Sequence, residues 1–323
     1  MVQKKRKHPE VKAGLHPRNK HRERYNFKDL IQTSPDLAPF VSLNQHQDES
    51  VNFSDPEAVI ALNRAILKHY YSVDYWSIPK GYLCPPVPGR ADYVHNIADI
   101  LAKENRGIIP RGKQVRCLDV GVGANCIYPI IGHSEYGWSF RGSDIEEEAI
   151  SSAKTIIDNN ETFKNSIELY LQANTFDTFK GAIAENERFD VSICNPPFHS
   201  SAQEAERASI SKLSSLNKME VTKARLNFGG QSKELYCNGG EERFVINMIK
   251  QSQAFSQQCL WFTSLVSKEA NVRTFKKALK AVEAKEVKTI KMNQGTKTSR
   301  ILAWTFHDTN QQRAWAKQHW KGE

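Results

Sequence analysis

Residues 192–200, SICNPPFHS, place side chains that could hold an amino group for reaction at the end of an apolar run. The run over residues 189–194 is strand-like, and two successive prolines end it because proline cannot donate a backbone hydrogen bond. The side-chain carbonyl of Asn195 and the backbone carbonyl of Pro196 can each accept a hydrogen bond from an exocyclic amino group. We therefore predict a catalytic tetrad, which consists of Asn195, Pro196, Pro197 and Phe198.

Hydrogen bonds to both amino hydrogens would draw the nitrogen lone pair out of conjugation with its ring and free it to attack. The two prolines would hold these acceptors at low entropic cost, which is a form of preorganisation. Phe198 offers a ring on which a base can stack, worth about 1–3 kcal/mol. The alternative for an isolated N-P-P triplet is a strand terminator with an Asx turn. The motifs upstream favour the catalytic interpretation.

The first upstream motif, LDVGVGAN at residues 118–125, ends another predicted strand with Asp119 and then Gly121 and Gly123. Two glycines at this point allow a tight turn and a close approach of a ligand to the backbone. A dinucleotide fingerprint would need a third glycine where the chain has Asn125, and we expect Pro129 to interrupt the next segment. The loop therefore indicates a nucleoside with a compact tail, and a purely structural turn is the alternative.

Asp144 lies at the end of the next predicted strand, 21 residues after Gly123. A carboxylate at this position can accept hydrogen bonds from both hydroxyls of a ribose. The alternative is an N-cap for the helix that follows. The glycine loop and the carboxylate of Asp144 together predict an adenosine-containing cofactor.

The elements that must position these motifs alternate between strand and helix from about residue 113 onward. Apolar runs predict strands at 114–120, 137–145, 166–174, 188–198, 259–267, 286–292 and 300–306. Helical patterns fall at 146–160 and 240–255. Earlier in the chain, one helix is predicted to start around Pro56 and another to span roughly 92–104, after an irregular proline-rich segment at 75–93. This alternation is typical of a wound, mostly parallel α/β sheet.

The composition of the 323 residues, 39% hydrophobic and 25% charged, is that of a soluble globular protein. No apolar run approaches the roughly 20 residues of a membrane helix, and the N-terminus is too polar for a signal peptide, so we expect a cytoplasmic protein. Six cysteines without a C-x-x-C pair indicate buried thiols and neither a zinc site nor a disulfide framework. We expect no metal and, without an apolar heptad, a monomer.

The net charge of +9 is concentrated in two stretches, residues 1–24 and residues 268–300, each of which carries a net +7. Two separate basic stretches on a mildly acidic remainder favour a polyanion partner, although a solvated tail is the alternative for residues 1–12. Because residues 1–24 lack apolar periodicity, we expect them to be disordered or to order only on binding.

Seven motifs together resemble the ribosomal RNA large-subunit methyltransferase F family, whose members are S-adenosylmethionine-dependent methyltransferases of class I. They are LHPRN (15–19), VPGRADYVH (87–95), GANCIYPIIG (123–132), GWSFRGSDI (137–145), CNPPF (194–198), GGEERFV (239–245) and QGTKTSR (294–300). The resemblance covers about residues 15–307. It implies methyl transfer to N6 of an adenine in 23S ribosomal RNA, with large-subunit RNA or an assembling subunit as partner.

The resemblance also implies the fold: a Rossmann-like α/β sheet, mostly parallel with one antiparallel strand near the C-terminus, and helices on both faces. We expect a basic RNA-binding arm at 1–50, a helical extension at 51–110, the methyltransferase domain at 111–310 and a tail at 311–323. The glycine-rich segment 227–242 is long enough to close over a flipped base, and a mobile linker is the alternative.

The resemblance implies cofactor contacts at Arg90, Gly121, Asp144 and Asn195, with Asn174 or Thr175 near the adenine of the cofactor. The glycine loop adds Asp119, Gly123 and Asn125 to the predicted cofactor contacts. Arg90 would clamp the methionine carboxylate, and an ordinary surface arginine is the alternative. The family's eukaryotic relatives tend to have Glu at the position of Asp144. Predicted RNA contacts are His16 and Arg18, which the resemblance implies, and Lys20, Arg22, Arg24, Lys297 and Arg300 from the basic stretches.

Three other functions remain open from the residues alone. The tetrad also suits methylation of a protein glutamine or of adenine in DNA. A non-catalytic RNA-binding assembly factor could use the same fold, although such a protein would not need the amino-group geometry of the tetrad.

Overall fold

The computed structural model describes residues 11–44, 46–201, 203–204, 236–294 and 297–320. Upstream of residue 110 the helices are α1 (Phe27–Thr33), α2 (Pro56–Tyr71) and α3 (Val87–Lys103), with a 3-10 turn at Pro35–Phe40. Two short antiparallel strands, β1 (Val41–Leu43) and β2 (Glu49–Val51), lie between the 3-10 turn and α2.

The central sheet has seven strands among the described residues. They are β3 (Arg116–Val120), β4 (Ser139–Asp144), β5 (Ile167–Leu171), β6 (Phe189–Cys194), β7 (Cys259–Val266), β8 (Glu286–Gln294) and β9 (Lys297–Thr305). Their order is β5-β4-β3-β6-β7-β9-β8. Only β9 runs antiparallel to its neighbours β7 and β8, while the other pairs are parallel. The predicted mostly parallel sheet with one antiparallel strand near the C-terminus is confirmed.

Helices cover both faces of this sheet, as predicted. The helices of this part are α4 (Ile127–Tyr136), α5 (Glu147–Asp158), α6 (Gly240–Ser252), α7 (Asn271–Ala281) and α8 (Thr309–His319). Successive strand residues point to opposite faces. Accordingly, Cys117 of β3 joins one hydrophobic cluster with α3, α4 and α5, and Leu118 joins the other with α6 and α7.

Two proline positions differ from the expectation. Helix α3 begins at Val87 and not near residue 92, because Pro88 lies in its first turn, where proline costs no intrahelical hydrogen bond. Pro129 does not interrupt its segment for the same reason, since it lies in the first turn of α4. Arg90 is consequently a helical residue near the start of α3.

The sequence predicts that residues 1–24 are disordered or order only on binding, but in the structure residues 11–24 are packed against the body. The backbone N–H of His16 and the side-chain amide of Asn19 donate to the same oxygen of Asp92 on α3, at 2.8 and 2.7 Å. His21 is fully buried and bonds to the hydroxyl of Tyr71 at 2.7 Å. Polar contacts with distant helices order residues 11–24, and the pattern of apolar residues in the sequence does not reveal such contacts. Residues 1–10 lie outside the described residues.

The segment expected to be a C-terminal tail contains α8, which is anchored on the sheet. The indole N–H groups of Trp315 and Trp320 both donate to one carboxylate oxygen of the buried Asp190 in β6, at 2.7 and 2.9 Å. The expected boundary near residue 310 therefore falls inside the packed body.

All six cysteines lie in the part of the chain that the structure describes. All six are free, five of them are buried and Cys237 is partly buried, so the predicted buried thiols are confirmed for five. Among the described helices, none combines the length and the apolar character that crossing a membrane requires.

Candidate active site

The three predicted motifs meet at one edge of the central sheet. Strand β3 lies between β4 and β6, so the chain crosses from one side of β3 to the other at this point. Ligands of wound α/β proteins bind at such a switch point, beyond the carboxyl ends of the strands. Asp119, Asp144 and Asn195 lie at or just after these ends of β3, β4 and β6.

The glycine loop after β3 is held against β4 and leaves space for a ligand. The backbone N–H groups of Gly121 and Val122 both donate to the carbonyl of Ser143 at 2.9 Å. Gly121 has a φ of +77°, and a Cβ placed on it would meet no atom within 4 Å. Gly123, with a φ of +64°, donates its N–H to Asp144 at 2.9 Å. Both glycines are therefore required by the backbone conformation.

The Asp144 carboxylate is oriented by two backbone donors. One oxygen accepts from Gly123 and the other from Glu146 at 3.0 Å, and burial raises the pKa of this carboxyl. Each oxygen keeps a further acceptor position, so two hydroxyls of a ribose can still be bound. The N-cap of α5 is Glu146, so the alternative interpretation of Asp144 as the N-cap of this helix is wrong.

Asp119 is fully buried, at 0% exposure, and neither carboxylate oxygen has a hydrogen-bond partner in the part of the chain that the structure describes. Burial, and to a smaller extent the nearby Asp144, raises the pKa of Asp119 well above its ordinary value, while Arg90 opposes this shift. A buried carboxyl without a donor is costly. A cationic ligand group beside it would remove this cost.

Arg90 connects this pocket with the tetrad. Its side chain is buried, with 8% exposure, and Nη1 donates to the hydroxyl of Tyr128 at 2.9 Å and to Oδ1 of Asn195 at 3.2 Å. The Nε and Nη2 atoms have no hydrogen-bond partner among the described residues, which leaves one edge of the guanidinium for a carboxylate. The alternative of an ordinary surface arginine is therefore wrong.

Arg90 and Asp119 form a pair of opposite charges that suits an amino-acid zwitterion, with the carboxylate at Arg90 and the ammonium at Asp119. Asp144 suits a ribose, and the open space at Gly121 lies between the ends of β3 and β4. The donor set thus fits a nucleoside that carries an amino-acid tail.

The tetrad follows β6 directly. Pro196 is buried, whereas Asn195, Pro197 and Phe198 are half-buried, so a ring face remains accessible. The carbonyl of Pro196 accepts no hydrogen bond from the described ranges of the chain. Together with the remaining acceptor position on Asn195 Oδ1, it provides two acceptors for one amino group.

Two tyrosines that the sequence analysis did not select support the tetrad. The hydroxyl of Tyr93 bonds to Thr263 at 2.8 Å and to the carbonyl of Cys194 at 3.4 Å, which braces the end of β6 against β7. Tyr128 receives the hydrogen bond of Arg90, and its ring lies edge-on to that of Tyr93 at 5.4 Å. Their signal was their place inside the motifs VPGRADYVH and GANCIYPIIG.

The residues after the tetrad pair with the start of α6. The carbonyl of His199 accepts from the N–H of Cys237 at 3.1 Å, and a Cβ on Gly240 would lie 3.2 Å from the backbone of His199. Of the segment 227–242, expected to close over a base, residues 227–235 lie outside the described residues. Residues 236–242 form the wall beside the tetrad and the first turn of α6.

The chain matches the RNA methyltransferase family over residues 9–308. It belongs to this family. A ribosomal RNA large subunit methyltransferase F from Cytophaga hutchinsonii is 52% identical over 317 residues, which cover 98% of each chain. The enzyme of the same name from Serratia proteamaculans is 53% identical over 321 residues, 99% of this chain and 96% of the relative.

Two solved structures have the same fold. The catalytic domain of METTL16 in complex with MAT2A 3'UTR hairpin 1 aligns with a TM-score of 0.77 at 26% identity, covering 91% of this chain and 96% of the other. The N-terminal domain of human METTL16 in complex with SAH aligns with a TM-score of 0.72 at 25% identity, covering 91% and 99%.

Two predicted cofactor contacts of this methyltransferase have other partners in the structure. The side chain of Asn125 is buried, with Oδ1 accepting from Ile127 at 3.2 Å and Nδ2 donating to the carbonyl of Leu83 at 3.5 Å, so it shapes the loop from within. Asn174 and Thr175 are exposed, and Asn174 donates to Asp177 at 2.9 Å.

Most of the predicted RNA contacts in the arm are engaged with acidic side chains of the body. His16 and Arg18 both bond to Asp99 on α3, at 2.9 and 2.7 Å. Lys20 pairs with Glu135 at 3.0 Å and Arg24 with Asp48 at 2.8 Å, while Arg22 has no ion pair among the described residues. The pairs of His16, Arg18 and Lys20 hold the arm on the body, whereas the pair of Arg24 and Asp48 lies within residues 1–50.

The prediction for Arg300 is corrected by the structure. Arg300 is 6% exposed and pairs with Glu269 at 2.7 Å, so its guanidinium fastens β9 to the segment after β7 and is not displayed to a ligand. The side chain of Lys297 lies outside the described residues. The described residues contain no group of three or more His, Cys, Asp or Glu side chains that could hold a metal ion.

Proposed function

We propose that this methyltransferase transfers a methyl group from S-adenosylmethionine to N6 of an adenine in large-subunit ribosomal RNA. The observation that carries the proposal is the hydrogen bond from Arg90 to Asn195, which joins a pocket for a nucleoside with an amino-acid tail to a tetrad built for an amino group.

When bound, S-adenosylmethionine supplies an electrophilic methyl group on its sulfonium. Arg90 would hold the carboxylate of the amino-acid tail, Asp119 the ammonium group and Asp144 the ribose hydroxyls. An unpartnered buried carboxylate and a free guanidinium edge in one pocket support this assignment.

The chain's own residues prepare the amino group of the substrate. Asn195 Oδ1 and the Pro196 carbonyl would accept the two amino hydrogens, and Phe198 would stack on the adenine. Preorganised acceptors avoid reorganisation at the moment of reaction. The nitrogen, once methylated, is acidic enough to release its proton to water, so the tetrad needs no strong base.

The substrate class is inferred from the relatives. Two relatives at 52% and 53% identity carry the name ribosomal RNA large subunit methyltransferase F, and a solved METTL16 domain of the same fold holds an RNA hairpin. Since N6 is out of reach inside a duplex, the adenine would be single-stranded or flipped. A monomeric, cytoplasmic enzyme remains part of the proposal.

The test offers the purified protein and methyl-labelled S-adenosylmethionine four acceptors in parallel: unmodified ribosomal RNA, assembling large subunits, DNA, and glutamine-containing protein substrates. Digested products are separated by mass. We expect N6-methyladenosine from large-subunit RNA, naked or in particles, and formation of this product about 10²–10³-fold slower with the Asn195→Ala variant. Label on DNA or on glutamine would replace the RNA assignment, and bound cofactor without any transfer would leave a binding protein.

A further inference from the structure

We propose that the outer face of α7 is a contact surface for RNA phosphates beside the tetrad; the inference rests on the proposed function and specifies where the RNA continues beyond the target base. We call this surface the α7 basic face, and it consists of Arg273, Lys276, Lys277 and Lys280.

The sequence of α7 separates its two faces cleanly. Phe275 and Leu279 are fully buried in the cluster that α6 and α7 form on the sheet. The four cations are exposed, and their spacing of three, four and seven residues places them on neighbouring positions of the solvent side. At a rise of about 1.5 Å per residue, the face extends over roughly 10 Å.

The four cations of the α7 basic face differ in their ion pairing from other cations of the same stretch. None of them forms an ion pair within the ranges that the structure describes, whereas other cations of the same basic stretch are paired, Lys268 with Glu204, Lys288 with Glu286 and Arg300 with Glu269. Three cations of the arm also differ from those of α7, since Arg18, Lys20 and Arg24 are each paired with an acid. Helix α7 therefore carries four of the six exposed cations of this stretch that lack an ion pair among the described residues, and Lys285 and Lys291 are the other two.

This arrangement is unfavourable for the isolated helix. Arg273 and Lys277, and likewise Lys276 and Lys280, are like charges four residues apart, a spacing that destabilises a helix. A polyanion lying along the face would turn this repulsion into attraction. A chain of phosphates is the polyanion that an enzyme acting on RNA meets.

A chain of contacts links the segment that follows the tetrad to the start of α7. His199, which follows the tetrad, lies against Gly240 at the start of α6. The adjacent Glu241 is buried and accepts hydrogen bonds from the N–H of Ser267 at 2.7 Å and from the side chain of Asn271 at 2.9 Å. Asn271 is the first residue of α7, and Arg273 follows two residues later. A strand whose base occupies the tetrad can therefore continue onto α7.

The experiment compares two variants with four substitutions each. In the first, the α7 basic face is neutralised by Arg273→Gln, Lys276→Gln, Lys277→Gln and Lys280→Gln. The matched control neutralises four exposed cations elsewhere on the body by Lys113→Gln, Lys180→Gln, Arg188→Gln and Lys250→Gln. Both variants lose the same net charge. Circular dichroism and binding of S-adenosylhomocysteine verify that each is folded.

The measurements are RNA affinity as a function of salt concentration and the steady-state constants for RNA methylation. The α7 variant should show a salt slope shallower by about 3, at about 0.7–0.9 per lost phosphate contact, and a raised KM for RNA with kcat nearly unchanged. The control variant should keep the wild-type slope and KM.

Two outcomes would overturn the inference. If the α7 variant keeps the wild-type slope, or if both variants lose the same amount, the charges act without a specific contact at α7. In either case wild-type methylation of RNA would stand, so the proposed function would survive. Absence of RNA binding and methylation in the wild type would instead reject the proposed function itself.

Discussion

Nη1 of Arg90 and Oδ1 of Asn195 lie 3.2 Å apart although 105 residues separate them in the chain. One residue lies in the first turns of α3 and the other just beyond β6. The hydrogen bond fixes which end of the Asn195 amide faces the pocket, because only its oxygen can accept from a guanidinium. Cofactor binding and amino-group orientation are therefore coupled through a single side chain.

Replacement of Arg90 by Lys should impair both functions while keeping the charge. An ammonium cannot bond to Tyr128 and Asn195 and also offer a planar edge to a carboxylate. We expect cofactor affinity to fall by about 10–100-fold, which corresponds to the loss of one or two charge-assisted hydrogen bonds. Calorimetry with S-adenosylhomocysteine measures this directly. The control is Arg116→Lys, at the opposite end of the sheet, where wild-type affinity is expected.

Replacement of Asn195 by Ala should lower kcat by about 10²–10³, since it removes one of two preorganised acceptors at the reacting nitrogen. Single-turnover methylation of RNA with saturating cofactor reports this step. Asn96→Ala, which removes a half-buried amide from the middle of α3, is the matched control and should keep the wild-type rate. Equal rates for the wild type and Asn195→Ala would refute the role of the tetrad.

Glu241 should be required for stability and for the wall beside the tetrad. Its buried carboxylate accepts from the N–H and the hydroxyl of Ser267 and from the side chain of Asn271. Glu241→Gln leaves one acceptor oxygen and introduces donors that face other donors, which should lower the free energy of unfolding by about 1–3 kcal/mol. Denaturant unfolding is the measurement. The neighbouring exposed Glu242→Gln should change the free energy by far less, and equal losses would contradict the assignment.

Docking of the arm should weaken in acid because of His21. Burial, followed by the charges of Lys12 and Lys20, lowers the pKa of His21 to about 3 from an ordinary value of 6.5. Below pH 6.5 His21 binds a proton when the arm is undocked, whereas in the docked state it binds a proton only near pH 3. The contribution of His21 is therefore complete above pH 6.5 and is lost progressively as the pH falls toward 3.

Hydrogen exchange of residues 11–24 at pH 7 and at pH 5 tests this expectation, after correction for the intrinsic pH dependence of exchange. Protection should decrease at pH 5 in the wild type and in a control with the exposed His46→Phe. His21→Phe should reduce the pH dependence, because the ionisable ring is gone. An unchanged dependence in His21→Phe would assign the effect to another group.

Local residues were enough to predict where three strands of the sheet end. Prolines after β6, glycines after β3 and an acid at the end of β4 act on their own backbone, so their positions in the chain suffice to predict where strands end and ligands approach. Apolar runs likewise predicted the seven strands of the described sheet, whereas helices α1, α4, α7 and α8 were not predicted.

Which cations form ion pairs depends on how distant elements pack. The packing of α3 brings Arg90 to Asn195, the docked arm uses Arg18, Lys20 and Arg24 in ion pairs, and Arg300 is buried against Glu269. A basic stretch looks uniform in sequence because ion pairing depends on partners that are tens to hundreds of residues away. Burial and distance, which arise only when distant elements pack, engage these cations in ion pairs and leave the α7 basic face without one among the described residues.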